Sequence, residues 1–115
     1  MELRLLVVRT SDEKGLADFY SQLGFEFDYH KHGNSPYHYS AKIGSGILEI
    51  YPLTKNQTAA DKNLRLGFSI DAFDLVIEKL KINNTVFVTE PTATDFGFMA
   101  IIEDPDGRKI ELYKK

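Results

Sequence analysis

Leu48-Glu49-Ile50-Tyr51 and Ile110-Glu111-Leu112-Tyr113 are two versions of one short motif, one near the middle of the chain and one at its end. In each, a glutamate stands between two large aliphatic residues, and a tyrosine follows. Side chains alternate between the two faces of a β-strand, so the aliphatic residues would face a core and the glutamate the opposite side. The repeated motif predicts that the chain is built from two similar halves.

Each half follows the same predicted order: strand, helix and then three strands. Thr10 is predicted to cap the first helix, with Glu13 completing a capping box, and Asp71 to cap the second. Apolar residues at i, i+3, i+4 and i+7 give each helix one buried stripe. The stripes are Leu16, Phe19, Tyr20 and Leu23, and Phe73, Val76, Ile77 and Leu80. The predicted strands are residues 3–8, 25–32, 37–43, 47–51, 64–70, 86–88, 98–102 and 109–113.

A βαβββ unit of fewer than about sixty residues buries too little surface to be stable alone. Two units side by side would form a curved mixed sheet with both helices on its outer face and a ligand cup inside. The predicted fold is therefore α+β, in a single domain. Its first repeat spans about 1–52, a polar connector about 53–63, and its second repeat about 64–115.

The composition excludes several classes of function. The chain has 115 residues, 43% of them hydrophobic, with 14 basic and 17 acidic residues and no cysteine. Without surplus positive charge there is no basis for nucleic-acid binding. The absence of cysteine excludes thiol catalysis and cysteine-ligated zinc. No apolar run is long enough for a signal sequence or a membrane span, so we expect a cytoplasmic protein without a membrane partner.

Two further stretches resemble the vicinal oxygen chelate superfamily, which includes glyoxalase I, the bleomycin-resistance proteins and the extradiol dioxygenases. They are Phe19-Tyr20 with Leu23-Gly24-Phe25, and the closing segment Glu103-Asp104-Pro105-Asp106-Gly107-Arg108-Lys109-Ile110-Glu111-Leu112. The resemblance covers essentially the whole chain. It implies the two-repeat fold, a small-molecule ligand and a homodimer. Within the closing segment, residues 104–107 have the composition of a tight turn, so we assign those aspartates no catalysis.

The family resemblance also indicates where a metal would bind. Metal-dependent members carry a histidine in the first strand of each repeat and a glutamate in the last. The glutamate positions match Glu49 and Glu111, but Leu5 and Arg65 stand at the histidine positions. No cofactor is therefore expected, and a divalent metal, if one binds, would use Glu49 and Glu111. The guanidinium of Arg65 is expected to replace the metal cation by pairing with Glu111 or Glu49.

The register of the predicted hairpins decides which residues accompany Glu49. The predicted turns are residues 33–36 and 44–46. Pairing outward from these turns puts His30 opposite Tyr39 and Tyr39 opposite Tyr51. Directly paired residues share a face, so these side chains would lie beside Glu49 while His38 points away. A slip of one residue would reverse the assignment.

Three interpretations of His30-Lys31-His32 stay open. The two histidines could be a solvated strand end, could supply a polar contact or a general acid–base group at the rim of the cup, or could bind a metal. Other contacts are expected from the inward face of the first strand and from the tyrosines that follow the glutamates. The predicted ligand-binding residues are Arg65, Leu5, Val7, Arg9, His30, Tyr39, Tyr51 and Tyr113.

The leading functional hypothesis is metal-free binding of a small organic ligand, an antibiotic or a metabolite. The alternative is a lyase, isomerase or epimerase in which Glu111 or Glu49 is the general base and Arg65, Arg9 or His30 stabilises an oxyanion. A raised glutamate pKa would favour the enzyme, whereas pairing with Arg65 would lower that pKa and favour binding. A third hypothesis is a dimerising interaction module with a closed cup.

Overall fold

The repeated motif corresponds to a repeated fold. A computed structural model describes all of residues 1–115, and its elements follow the order βαβββ twice, which confirms the α+β, two-repeat prediction. The first repeat comprises β1 (Leu5–Thr10), α1 (Glu13–Ser21), β2 (Asp28–His30), β3 (His38–Ile43) and β4 (Gly46–Pro52). The second repeat comprises β5 (Leu66–Ile70), α2 (Phe73–Ile82), β6 (Phe87–Thr94), β7 (Gly97–Glu103) and β8 (Lys109–Lys114). Neither helix has the length and apolar character needed to cross a membrane.

Each repeat forms its own four-stranded mixed sheet. The strand order is β1-β4-β3-β2 in the first and β5-β8-β7-β6 in the second. In both, the strand before the helix pairs in parallel with the last strand of the repeat, and the remaining pairs are antiparallel. The chain divides into two compact units, Met1–Ser21 with Phe25–Ala60, and Gln22–Gly24 with Asp61–Lys115. The division after Ala60 falls within the connector predicted at 53–63.

The predicted apolar stripes supply the core of each unit. Leu16, Phe19 and Tyr20 of α1 are buried, as are Leu48 and Ile50 of β4. In the second unit, the buried residues of α2 are Phe73, Ile77 and Leu80, and those of β8 are Ile110 and Leu112. Each large apolar side chain buried in this way stabilises the fold by roughly 1.5–3 kcal/mol. The aliphatic residues of the repeated motif are thus core residues, and the glutamates between them lie on the other face.

The start of α1 differs from the prediction. Strand β1 continues to Thr10, and the helix begins at Glu13 after Asp12. Asp12 Oδ1 accepts a hydrogen bond from the Gly15 N–H at 3.0 Å, while Thr10 Oγ1 accepts one from the Asp12 N–H at 3.2 Å. The predicted Thr10–Glu13 capping box is therefore wrong, because Thr10 belongs to β1 and Asp12 caps the helix.

The predicted cap of α2 is also wrong. Ala72 precedes this helix in the left-handed conformation, with φ 51°, and no side chain caps it. Asp71 instead forms an exposed ion pair with Lys115 at 3.2 Å. The helix N-terminus is therefore set by the backbone turn at Ala72.

Replacing Asp12 with alanine tests the observed cap of α1. Loss of the carboxylate leaves the Gly15 N–H without its acceptor, so we expect the free energy of unfolding to fall by about 1 kcal/mol. Chemical denaturation of Asp12→Ala measures this change. Asp18→Ala is the control, since its ion pair with Lys14 is exposed and should contribute less than about 0.5 kcal/mol. Equal effects of the two substitutions would contradict the assignment of Asp12 as the cap.

The closing motif forms the predicted turn between β7 and β8. The Gly107 N–H donates to Asp104 O at 2.9 Å, and Gly107 has φ 88°, a conformation that glycine adopts without strain. Asp104 Oδ1 accepts from the N–H groups of Asp106 and Arg108 at 2.9 and 3.0 Å. The buried guanidinium of Arg108 donates from Nη1 to Asp104 Oδ2 at 3.1 Å and to Asp106 Oδ2 at 2.9 Å. These aspartates are therefore structural, as predicted.

Candidate functional site

The two hairpins of the first unit, β2–β3 and β3–β4, each have a register shifted by one residue from the predicted register. His30 lies opposite His38, Tyr39 opposite Ile50, and Glu49 opposite Ser40. The second turn is shorter than predicted, because Gly46 belongs to β4 and pairs with Ile43.

The first turn differs as well. Strand β2 ends at His30, and the following loop contains a tight turn in which the Ser35 N–H donates to His32 O at 2.8 Å. Both predicted pairings, His30 with Tyr39 and Tyr39 with Tyr51, are therefore wrong.

The shift exchanges the faces of the β3 side chains. His38, predicted to point away, stacks on Tyr51 with ring centroids 4.2 Å apart and an interplanar angle of 12°. Tyr39 instead packs against Phe27 and Tyr29, at centroid distances of 6.2 and 4.5 Å. The prediction that Tyr39 accompanies Glu49 is wrong for the same reason.

All three histidines of the chain converge on Glu49. We refer to His30, His32, His38 and Glu49 as the histidine cluster. One ligand atom from each of these side chains lies within 4.8 Å of all the others. The ring centroids of the histidines are 4.6–5.3 Å apart. His38 is fully buried and the Glu49 side chain is 13% exposed, whereas His32 is exposed and lies outside the strands.

The hydrogen bonding of His38 identifies its tautomer. Its Nδ1 lies 3.0 Å from Pro36 O, and a carbonyl only accepts, so Nδ1 carries a proton. The Nε2 of a neutral His38 is then an acceptor. It lies 3.2 Å from Glu49 Oε2 and makes no hydrogen bond. Two acceptors at this separation repel each other unless a proton or another cation lies between them.

Three buried polar atoms in the first unit, including the Nε2 of His38, lack a hydrogen-bond partner. His30 Nε2, His38 Nε2 and Glu13 Oε2 are inaccessible to solvent and make no hydrogen bond. Burial raises the pKa of Glu13, and the charge of His38 opposes this effect. An unsatisfied buried polar atom typically lowers the stability of the folded state by about 1–3 kcal/mol. A group of such atoms is therefore characteristic of a site that binds an ion or a small molecule.

Strand β1 adds a cation and an apolar residue to the face of Glu49. Val7 lies beside Glu49 in the parallel ladder, and Arg9 beside Tyr51. The Arg9 guanidinium lies 5.0 Å from the Tyr51 ring centroid and donates to Pro52 O at 3.0 Å. Leu5, predicted to stand at the family's histidine position, is half exposed and supplies no ligand atom.

Glu111 in the second unit has a different environment. Arg65 Nε donates to Glu111 Oε2 at 2.7 Å, and the Tyr113 hydroxyl donates to Glu111 Oε1 at 2.6 Å. The predicted pairing of Arg65 with a glutamate is confirmed for Glu111. The hydrogen bond from Tyr113, followed by that from Arg65, lowers the pKa of Glu111. Arg65 and the aliphatic Leu5, at the positions predicted to correspond to the family's histidines, are not metal-ligating side chains.

The lowered pKa of Glu111 predicts a pH-dependent stabilisation. A carboxyl group whose pKa is lower in the folded state contributes stability above its unfolded pKa, near about 4.3, and loses it as the pH falls through the folded value. We expect Tyr113→Phe to lower the free energy of unfolding at neutral pH, because the Glu111 carboxylate loses a hydrogen-bond donor. The deficit should shrink as the pH falls below the ordinary glutamate range.

Urea denaturation across this pH range measures the difference between wild type and Tyr113→Phe. Tyr37→Phe is the matched control, since Tyr37 is an exposed tyrosine. A deficit for Tyr113→Phe that stays constant into acid would show that Glu111 is not involved.

The sequence-based argument missed His38 and its partner carbonyl at Pro36. The available signal was the alternative hairpin register with a two-residue turn at Gly44-Ser45, which moves His38 to the face of Glu49. His30, Val7, Arg9 and Tyr51 were already expected on that face. Tyr113 lies on the face of Glu111 in the second unit, where it bonds that glutamate.

The fold and these sites define a small α+β protein of two βαβββ repeats with a polar, partly buried face in each unit. The chain belongs to the Glyoxalase/Bleomycin resistance protein/Dioxygenase superfamily, whose family profile matches residues 3–112. A search of curated proteins gave no significant sequence match.

Solved structures share this fold across nearly their whole length. The oxidase ChaP-H2 is 20% identical, with a TM-score of 0.79, over 100% of this chain and 94% of that one. TnmS3, an antibiotic-binding protein from Streptomyces sp. CB03234, is 23% identical, with a TM-score of 0.75 and coverages of 99% and 95%. SMU.1112c is 26% identical, with a TM-score of 0.71 and 97% coverage of both chains.

Proposed function

We propose that the protein binds a small organic ligand, an antibiotic or a metabolite, and that it does so without a metal bound jointly by Glu49 and Glu111. The observation that carries this proposal is the state of Glu111. Both of its oxygens accept short hydrogen bonds, and its pKa is lowered. Such a carboxylate is a weak base, but together with Arg65 and Tyr113 it forms a fixed polar surface suited to recognition.

The first unit supplies a second surface suited to an organic ligand. Tyr51 is partly exposed, stacked on His38 and approached by the Arg9 guanidinium. A tyrosine ring in contact with both an imidazole and a cation has its orientation fixed before a ligand arrives, which reduces the entropy cost of binding. The antibiotic-binding activity named for the similarly folded TnmS3 is consistent with this proposal.

A lyase, isomerase or epimerase is the second candidate, and the contact between His38 and Glu49 favours it. Their side chains approach to 3.2 Å in a mostly buried setting, an arrangement from which a proton can be passed. In this mechanism Glu49, rather than Glu111, would remove a proton next to a carbonyl. Arg9 would stabilise the resulting oxyanion.

We also propose that the protein is a homodimer, as the resemblance to short members of the family implies, and that it is cytoplasmic. Sedimentation equilibrium measures its oligomeric state. A monomeric mass throughout the micromolar range would contradict the dimer.

Thermal unfolding with a panel of antibiotics and metabolites tests the binding function, with a chelator present throughout. We expect one chemical class to raise the unfolding temperature, because a ligand that binds only the folded state stabilises it by mass action. Tyr51→Ala should weaken that effect. Tyr29→Ala is the control, since Tyr29 packs on the opposite face with Tyr39.

The same panel separates the candidate functions. If no compound stabilises the protein, the binding proposal fails and an interaction module becomes the better account. If a stabilising compound is also converted, Glu49→Gln distinguishes the roles of the site. Lost turnover with retained binding would identify Glu49 as the general base.

A further inference from the structure

We propose that the histidine cluster binds one divalent transition-metal ion of the zinc class, through His30, His32, His38 and Glu49. This inference goes beyond the proposed function and does not depend on it, because its ligands are not the family's metal set. Of that set, only the Glu49 position is shared.

The first step of the argument is distance. Zinc lies about 2.0–2.1 Å from histidine nitrogens and about 2.0–2.2 Å from carboxylate oxygens, so neighbouring ligand atoms of a tetrahedral site are about 3.3 Å apart. His38 Nε2 and Glu49 Oε2 are 3.2 Å apart, which already matches this spacing. The remaining ligand atoms lie within 4.8 Å, and the exposed His32 can approach by side-chain rotation.

The second step is the orientation of His38. Metal-binding histidines usually donate their other ring N–H to a carbonyl or a carboxylate, which fixes the tautomer. His38 donates from Nδ1 to Pro36 O, and Tyr51 stacks on its ring. The lone pair of Nε2 is thereby directed towards Glu49.

The third step is the absence of any other partner for two buried nitrogens. His30 Nε2 and His38 Nε2 make no hydrogen bond, although both are inaccessible to solvent. A protonated His38 would balance the charge of Glu49 but would leave His30 unsatisfied. Charging all three rings at centroid distances of 4.6–5.3 Å would produce mutual repulsion. One metal ion satisfies both nitrogens and the carboxylate together.

The fourth step is the type of ligand. Imidazole nitrogens suit zinc, copper, nickel and iron, whereas calcium and magnesium require mainly oxygen ligands. Three imidazoles and one carboxylate form a four-coordinate donor set of the kind that holds zinc. Arg65 is paired with Glu111 and is not a member of the cluster.

Titration of the chelator-treated, full-length protein tests the proposal. Zinc binding is followed by calorimetry, and cobalt, which reports tetrahedral coordination, by visible absorption. We expect one ion per chain, with intense tetrahedral cobalt bands. His30→Ala and Glu49→Gln should each weaken binding by at least about tenfold, the smallest loss usual even for groups that only support the ligands. Glu111→Gln is the matched control and should retain wild-type affinity.

The composition sharpens this test, because the chain has three histidines and all belong to the cluster. The His38 side chain is buried, so the test uses His30→Ala and Glu49→Gln, with circular dichroism to establish that they fold. The proposal is overturned if wild-type protein binds no stoichiometric ion, if both variants bind as wild type does, or if Glu111→Gln loses the ion. Failure to find an organic ligand would leave these results unchanged.

Discussion

Replacing Asp104 with alanine is expected to lower the free energy of unfolding by about 3–5 kcal/mol, because it removes the more buried of the two carboxylates that pair with Arg108 and also the acceptor of two backbone N–H groups. The side chains of Asp104 and Arg108 are 0% and 1% exposed. The Asp104 side chain also accepts hydrogen bonds from the N–H groups of Asp106 and Arg108, so the turn between β7 and β8 would lose both of these bonds. Equilibrium denaturation in urea measures the change.

Two further variants separate charge from turn geometry. Asp104→Asn removes the charge but retains an acceptor oxygen, so it should be less damaging than Asp104→Ala. Asp74→Ala is the control, since its ion pair with Lys114 is exposed and should contribute less than about 1 kcal/mol. A loss below about 1 kcal/mol for Asp104→Ala would contradict the structural role of the motif.

Zinc is expected to raise the free energy of unfolding by about 2.7 kcal/mol when its free concentration is one hundred times the dissociation constant. The gain arises because the folded chain holds the four ligand side chains together at one place, whereas the unfolded chain does not. Binding of zinc to histidines of the unfolded state would reduce the gain. Urea denaturation at several zinc concentrations measures the effect.

Glu49→Gln should largely abolish this stabilisation, and Glu111→Gln should leave it intact. Magnesium at the same concentration is a second control, because it does not favour imidazole ligands. Equal stabilisation by magnesium and zinc would contradict an imidazole-dominated site and indicate general screening of the carboxylates.

Much of the fold follows from local sequence patterns. The repeated motif of Glu49 and Glu111 and the two apolar helical stripes were sufficient to predict two βαβββ units. The closing turn was predictable because Asp, Pro and Gly each favour, for a local conformational reason, the position of the turn that they occupy. The helix caps were not predicted correctly, since β1 extends to Thr10 and a backbone turn at Ala72 replaces a side-chain cap.

The candidate site was harder to predict than the fold, because the strand register decides which residues belong to the site. Side chains alternate with a period of two, so one residue more or less in a turn decides whether His38 or Tyr39 accompanies Glu49. The sequence Gly44-Ser45-Gly46 is compatible with a turn of either two or three residues, and its composition alone did not decide between these lengths. The pairing of Arg65 with a glutamate was predictable, because a carboxylate held away from bulk water requires a compensating partner, but the choice of Glu111 over Glu49 was not.

X-ray absorption at the zinc edge of the zinc-loaded protein tests the histidine cluster most directly. The predicted spectrum contains about three imidazole nitrogens at roughly 2.0–2.1 Å and one carboxylate oxygen at a similar distance. Multiple scattering from the imidazole rings should diminish in His30→Ala. A zinc ion surrounded only by oxygen atoms, with no imidazole scattering, would contradict the site assigned to His30, His32, His38 and Glu49.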